Sequence, residues 1–290
     1  MTDQSFMPFQ SGDLFVPVPV LDPSARFPTG AGRVRQVGAD GVTKAEVATG
    51  RTGLISGLGI GPDGVLWVLD PQARAVDRFG PEGTLLPALA LSARGFGSIL
   101  FEAGGTILLG EHLAGPGGPF AGEGVTERIS ADGTVLATFQ TETNGGVSGF
   151  LGVTHMALSP DGKSLFHVSE TGPAIYAHNL AGNRRLGALY TRADPPPMLF
   201  GLAALPDGRL AVAIGAALRL LWPDGALLGD VALPEGRGWA NLVVRPGGKS
   251  LYALDFFGGR MAELSLPDLA LLAVVDFGNP KGMTSVAEVP

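Results

Sequence analysis

The amino-acid sequence predicts an all-β fold, namely a six-bladed β-propeller with four antiparallel strands per blade. Two turn signatures alternate along the chain between short apolar runs, and one of them recurs at the spacing of a propeller blade. The 45 Gly and 23 Pro residues are spread along the 290-residue chain, which indicates many tight turns. We expect residues 13–290 to form one propeller and residues 1–12 to be a flexible N-terminal segment.

The first turn class joins two apolar runs within a blade. In most copies Pro presets the first turn position, and Gly supplies a positive φ, so the signature predicts a hairpin. The flanking runs, such as VLWVLD and SLYALD, are rich in β-branched and aromatic residues, as strands are. The five copies are GPDG ending at Gly64, EAGG ending at Gly105, SPDG ending at Gly162, LPDG ending at Gly208 and RPGG ending at Gly248.

The second turn class counts the blades. It recurs at intervals of 42, 50, 49, 43 and 44 residues, the length of a four-stranded blade. The six positions are Asp40, Glu82, Asp132, Ala181, Asp224 and Asp268. Six turns of this class predict six blades.

The last blade is expected to contain both ends of the chain. Five first-class turns accompany six second-class turns, so the sixth blade has to be divided. GMTSVAEVP, at Gly282–Pro290, has the pattern of a first strand, and DLFVPVPV, at Asp13–Val20, has that of a second. Such a closure leaves no open sheet edge between first and last blade.

Composition excludes several classes of partner and chemistry. The 27 acidic and 20 basic residues give a net charge of −7 without a basic run, which argues against nucleic-acid and membrane partners. The absence of Cys excludes disulfides, thiolate nucleophiles and Cys-ligated zinc. No P-loop or dinucleotide fingerprint is present, so we expect no organic cofactor. Without a signal-peptide pattern, the sequence predicts a cytoplasmic protein, and we expect a monomer.

Repeats such as GLGIGPDGVLWVLD, MALSPDGKSLFHVSETGPAIYAHNL and NLVVRPGGKSLYALDFFGGRMAEL resemble those of the six-bladed calcium-dependent phosphotriesterase superfamily. That superfamily includes the gluconolactonase/regucalcin group, the strictosidine-synthase-like proteins and NHL-repeat relatives. The resemblance implies three kinds of function: Ca²⁺-dependent lactone and ester hydrolysis, metal-free condensation, and non-catalytic binding. The gluconolactonase metal ligands do not carry over, because no matching position holds the expected Asn or Glu. VSET, at Val168–Thr171, resembles the strictosidine-synthase-like segment that carries a glutamate general acid/base, here Glu170.

The binding face is predicted from the connections. Both short turn classes lie on one face, whereas the long variable connections lie on the other, as binding loops commonly do. We expect loop residues Glu111, His112, Glu123 and Arg192 to surround the channel mouth there.

Carboxylates end several second strands on this face and are candidate metal ligands. Ca²⁺ prefers carboxylate and amide oxygens, so we expect one divalent cation to be held by Glu111, Glu170, Asn241 and Asp255. The alternative, that each carboxylate caps its own turn, is favoured for Asp70 and Asp255 and stays open for Glu111 and Glu170.

Histidines and aromatic residues complete the candidate site. His155 begins a first strand and, with Glu170 or Glu111, is the candidate general base; His167 and His178 are expected to be structural. The candidate substrate-binding residues, His112, Phe200, Trp239 and Phe256, are alternatively core or loop residues.

The sequence therefore predicts a lactone or ester hydrolase acting on a small molecule at the channel mouth. The alternatives are a metal-free lyase, cyclase or condensing enzyme, or a non-catalytic propeller that binds a ligand or a protein.

Overall fold

The computed structural model describes residues 5–22, 24, 30–51, 54–113, 124–141, 155–169, 172–194, 198–236 and 238–290. Within these ranges the chain forms strands, turns and loops, and no helix capable of crossing a membrane. The strands in chain order are β1 Leu14–Pro17, β2 Val20–Leu21, β3 Gly30–Ala31, β4 Arg33–Val37, β5 Thr43–Ala48, β6 Gly57–Ile60, β7 Leu66–Asp70, β8 Ala75–Phe79, β9 Gly95–Phe101, β10 Ile107–Leu113, β11 Gly124–Ile129, β12 Val135–Thr141, β13 His155–Leu158, β14 Ser164–Val168, β15 Ala174–Asn179, β16 Arg184–Thr191, β17 Leu202–Ala204, β18 Leu210–Ala213, β19 Ala217–Leu221, β20 Leu227–Ala232, β21 Trp239–Val244, β22 Ser250–Asp255, β23 Arg260–Ser265, β24 Leu271–Asp276 and β25 Ala287–Glu288.

Six antiparallel sheets form a six-bladed β-propeller, which confirms the predicted fold class. Blade 1 combines β25, β1, β4 and β5. Blade 2 contains β6, β7 and β8, and a bridge from Phe79 to Leu85 stands in place of its fourth strand. Blades 3 to 6 contain β9–β12, β13–β16, β17–β20 and β21–β24. The hairpin of β2 and β3 lies in the connection between β1 and β4.

The repeated turns form the expected hairpins. In the turn between β6 and β7, Gly61 N donates to Val65 O at 2.9 Å and Gly64 N donates to Gly61 O at 2.9 Å. Gly64 has a φ of 76°, a conformation that suits glycine. Asp63 Oδ1 accepts a further bond from Val65 N at 3.1 Å. Local backbone geometry alone therefore explains why these turns repeat nearly the same sequence.

Both ends of the described chain close blade 1, as predicted. In β25, Ala287 and Glu288 pair with Phe15 and Leu14 of β1, so the strands are shorter than the sequence pattern indicated. Glu288 also accepts a hydrogen bond of 2.7 Å from Arg245 Nε of blade 6. The closing strand is thus joined to the last blade as well as to the first.

The apolar core lies between the blades. Each of six buried clusters in the described residues combines side chains of two neighbouring blades. Middle strands are consequently buried on both faces, as in β7 and β22. Burying one large aliphatic side chain contributes about 1.5–3 kcal/mol, so each blade is stabilised chiefly by its two neighbours.

The N-terminal segment packs on the propeller from Phe6 onward. The Phe6 ring makes edge contacts with Phe15 at 5.1 Å and Phe79 at 4.8 Å between centroids. Phe6 N donates to Gly83 O, and Phe9 N donates to Pro81 O. The N-terminal segment was predicted to be flexible. Its described part instead packs against blades 1 and 2 through two aromatic residues.

Candidate active site

The first strands of blades 2 to 6, together with Ser285 and Val286 before β25, line a central cavity of about 350 Å³. These strands begin at the face that carries the long connections. We call this end the channel mouth and define it by Ser56, Ser98, His155 and Asn241, which line the cavity. A cavity of this size is suited to a small organic ligand.

His155 lies at the channel mouth and is half-buried. Its imidazole forms a hydrogen bond with the backbone of Phe200, and its Nδ1 is shielded from solvent without a hydrogen-bond partner among the described residues. Burial lowers the pKa of His155 to about 3, with a smaller contribution from His112. His155 is therefore a neutral imidazole at neutral pH.

His112 of blade 3 lies close enough to influence His155 electrostatically. It is buried, and burial lowers its pKa to about 4. The β9–β10 pair shifts register on both sides of Glu111, next to His112, as at a β-bulge. Gly97 leaves room for the ring, since a Cβ at position 97 would lie 2.4 Å from the His112 Cβ. The structure thus brings two of the predicted site residues together as a pair of neutral histidines.

Glu111 is occupied by an ion pair. Its Oε2 lies 3.1 Å from Arg94 Nη1, and Arg94 Nε lies 3.1 Å from Glu127 Oε1. Burial raises the pKa of Glu111, an effect that Arg94 partly offsets. This pairing was not predicted, because Arg94 stands in a connection outside the repeated pattern.

Asp70 and Asp255 cap their own turns, the arrangement favoured for both from the sequence. Asp70 Oδ1 accepts from Ala73 N at 2.9 Å, and Asp255 Oδ1 accepts from Gly258 N at 2.9 Å. Asp255 Oδ2 also lies 3.2 Å from Arg260 Nη2.

Asn241 joins blade 6 to the closing segment. Its Nδ2 donates to Thr284 O at 2.5 Å, and its Oδ1 accepts from Leu242 N at 2.7 Å. Thr284 Oγ1 in turn donates to Ile55 O of blade 2. Asn241 Nδ2 is therefore used in ring closure, whereas its Oδ1 bonds within its own strand.

The proposed metal ligands do not assemble within the described residues. Glu111, Asn241 and Asp255 each bond to a different part of the protein, and no group of three His, Asp or Glu side chains there is placed to hold a metal ion. Glu170 and Glu123 lie outside the described residues. The donor set that the structure describes does not fit Ca²⁺, which takes about six to eight oxygen ligands.

The predicted aromatic lining is only partly at the site. Phe200 adjoins His155 through its backbone. Trp239 is 1% exposed within the core between blades 5 and 6, and its Nε1 donates to Pro234 O at 3.0 Å. Phe256 contacts Phe257, with 4.9 Å between ring centroids. Trp239 is therefore a core residue, the alternative to a substrate-binding role.

A charged cluster on the connection between blades 4 and 5 was missed, apart from Arg192. Arg192 and Arg219 both pair with Asp194, and Arg219 also pairs with Asp230. The only sequence signal is the concentration of charges in YTRAD, since Arg219 and Asp230 lie on other strands.

The sequence matches no protein-family model and no curated protein. Solved structures do match. A catalytically inactive His-to-Ala variant of virginiamycin B lyase from Staphylococcus aureus, solved with quinupristin, is 15% identical; the match covers 97% of this chain and 86% of that chain, with a TM-score of 0.60. A gluconolactonase from Xanthomonas campestris is 17% identical, with coverage of 86% and 84% and a TM-score of 0.59.

A chain of a nidogen/laminin complex is 15% identical, with coverage of 96% of this chain and 99% of that chain and a TM-score of 0.65. At such identities the likeness shows the fold alone. Gluconolactonase-like structures are thus among the fold neighbours, and membership of the superfamily that the repeats resemble stays a prediction.

Proposed function

We propose that the protein is an enzyme that opens a lactone or another small cyclic ester at the channel mouth, with His155 as general base. The observation that carries this proposal is a neutral imidazole beside a cavity of about 350 Å³, with one ring nitrogen bonded to Phe200 and Nδ1 unpartnered in the described chain. A buried polar atom without a partner calls for an explanation, and a reacting group is one. A base oriented through its other nitrogen is the usual arrangement for proton transfer.

The ring atom left to accept a proton is Nδ1. Phe200 N donates to Ala213 O, so the Phe200 carbonyl is the backbone group that remains for the imidazole N–H. Burial makes His155 a weak base in the free protein, so the imidazolium formed during the reaction has to be stabilised by the adjacent anionic transition state. Both ring nitrogens are then used, so Glu170 is proposed as a second acid/base residue rather than as a partner of the imidazole.

Hydrolysis is the first candidate reaction. His155 takes a proton from water, the water oxygen attacks the ester carbonyl, the ring C–O bond breaks, and the proton is delivered to the leaving oxygen. The product contains one added water. The presence of a gluconolactonase among the fold neighbours supports this candidate.

Elimination is the second candidate, favoured by the virginiamycin B lyase whose His-to-Ala variant is catalytically inactive. Here His155 would take a proton from the carbon next to the one bearing the ring oxygen. The C–O bond breaks, the ring oxygen becomes part of a carboxylate, and a C=C bond forms. The product has the mass of the substrate.

One experiment separates these outcomes. Purified protein is incubated in ¹⁸O-labelled water with a panel of lactones and cyclic esters, and products are identified by mass spectrometry. Hydrolysis adds one labelled water, whereas elimination adds none. His155→Gln should lower turnover by about 10²–10⁴-fold, the usual range for a general base.

The matched control is His167→Gln in the same blade, where His167 stacks on Tyr176 with 5.3 Å between centroids. This variant should keep its turnover. Undiminished turnover in His155→Gln, or no reaction with any member of the panel, would contradict the proposal.

A further inference from the structure

The charged cluster between blades 4 and 5 is closely bonded. Arg219 holds Asp230 through two bonds, Nε to Oδ1 at 2.8 Å and Nη2 to Oδ2 at 2.7 Å. Its Nη1 also donates to Asp194 Oδ1 at 2.6 Å and to Tyr190 Oη at 2.9 Å. Arg219 and Arg192 together lower the pKa of Asp194 to about 2. Asp194 is therefore ionised and held in place throughout the working pH range.

Arg192 connects this cluster to the backbone beside the site. Its Nε donates to Asp194 Oδ2 at 2.9 Å, and its Nη1 donates to Met198 O at 2.8 Å. The Arg192 side chain is only 6% exposed, so its charge is stabilised by these bonds rather than by water. One planar guanidinium thus joins the fixed carboxylate to the segment Met198–Phe200.

The segment Met198–Phe200 bonds to Gly172 on one side and to His155 on the other. Leu199 N donates to Gly172 O at 3.1 Å, and Gly172 N donates to Ser169 O at 2.8 Å, which connects the segment to Ser169 after β14. Phe200 N donates to Ala213 O at 3.0 Å, and the backbone of Phe200 bonds to the His155 imidazole.

We propose that Arg192 is a positioning residue that fixes the ring orientation of His155 by holding Met198–Phe200 against Asp194. This inference rests on the proposed role of His155 as general base. The described residues show no contact of Arg192 with His155 itself, so Arg192 acts through the backbone that the imidazole bonds. Its loss should free the Phe200 carbonyl to move and release the imidazole from a single tautomer.

The chain contains a matched control in Arg209. Its Nε donates to Asp207 Oδ2 at 2.8 Å and its Nη2 donates to Pro267 O at 2.7 Å, so it also joins a carboxylate two residues away to a carbonyl. Arg209 follows the turn between β17 and β18, on the face opposite the channel mouth. Arg192→Met and Arg209→Met therefore remove equivalent bonds at different distances from His155.

The first measurement needs no substrate. In protein with ¹⁵N-labelled histidine, the His155 ring signals are assigned by their loss in His155→Gln and followed with pH. Wild type and Arg209→Met should show one neutral tautomer, protonated at Nε2. Arg192→Met should show mixed tautomers, and its His155 pKa should not rise, because the bond to the Phe200 backbone is the contact that raises this pKa.

Kinetics give the second measurement. On any cyclic ester that wild type opens, Arg192→Met should lower kcat by about 10–100-fold with little change in KM, because displacement of a reacting group by about 1 Å has effects of that order. Arg192→Lys, which keeps the charge but lacks the planar guanidinium with its several donors, should recover only part of kcat. Asp194→Asn serves as a milder variant if Arg192→Met does not fold, and should mix the tautomers as well.

A His155 spectrum identical to wild type in Arg192→Met, or in Asp194→Asn if the former does not fold, would overturn the inference. Equal effects of Arg192→Met and Arg209→Met on that spectrum would overturn it too. Absence of turnover in wild type would contradict only the proposed function, because the ring signals report the orientation of His155 directly.

Discussion

At the scale of single residues, surroundings rather than residue type determine what the polar side chains near the channel mouth do. His155 and His112 are neutral because loss of solvent contact lowers the pKa of both imidazoles, and the nearby His112 lowers that of His155 further. Three acidic residues at the ends of second strands have equivalent positions and different partners: Asp70 and Asp255 bond to their own turns, and Glu111 bonds to Arg94. A residue type at a repeated position therefore identifies a candidate, and its neighbours decide the role.

The charge state of His155 makes stability depend on pH. The native imidazole has a pKa of about 3, whereas in the unfolded chain it takes up a proton below about 6.5. Between these values the unfolded state binds more protons, so the free energy of unfolding should fall as pH falls, by at most about 1.4 kcal/mol per pH unit for this group. Urea unfolding of wild type and His155→Gln at several pH values between about 7.5 and 4.5 measures the difference. Equal pH dependence of the two proteins would contradict this expectation.

At the scale of elements, the hairpins are determined locally and the connections are not. The turn before β7 needs only its own Pro, Asp and Gly, so its position could be predicted from the sequence. The site and the charged cluster lie outside these turns, and contacts such as that of Arg219 with Asp194 join residues 25 positions apart without a repeat spacing. Such pairs give no periodic signal, which is why the Arg94 and Arg219 pairings were not predicted.

The turn after β22 tests whether Asp255 is a cap or a metal ligand. Asp255→Ala removes the acceptor of Gly258 N and the carboxylate beside Arg260, so it should lower the free energy of unfolding by about 1–3 kcal/mol. Asp268→Ala, in an exposed second-class turn, is the control and should change it by less than about 0.5 kcal/mol. Urea unfolding with and without added Ca²⁺ distinguishes the roles. A loss that appears only with Ca²⁺ would identify Asp255 as a ligand instead.

At the scale of the whole molecule, the ring closes through a small number of bonds. Leu58 N of blade 2 donates to Ser285 Oγ at 3.0 Å, and Arg245 of blade 6 bonds to Glu288. The six-blade count and the division of blade 1 followed from the turn spacing, because closure without an open edge is a property of the entire repeat. The specific bonds that join blade 1 to its neighbours could not be predicted from the turn spacing, since each involves a residue outside the repeated turns.

Removal of residues 283–290 should therefore affect the whole ring. It eliminates β25 and the Ser285 and Glu288 contacts, which leaves β1 as an open edge and uncovers the cluster between blades 6 and 1. We expect loss of the cooperative unfolding transition, measured by near-ultraviolet circular dichroism in urea. Glu288→Gln, which keeps the strand, should retain a cooperative transition at a lower urea midpoint. An unchanged midpoint in the shortened protein would show that closure is not required.

The pairing of Leu14 with Glu288 also has a kinetic consequence. Hairpins within blades join residues close in sequence and can form early, whereas this contact closes almost the full chain and has a correspondingly large entropic cost. Ring closure should then be a late step in folding. Until it occurs, the apolar sides of blades 1 and 6 stay uncovered, so refolding yield should fall as protein concentration rises, even though the closed ring has no open edge at this seam.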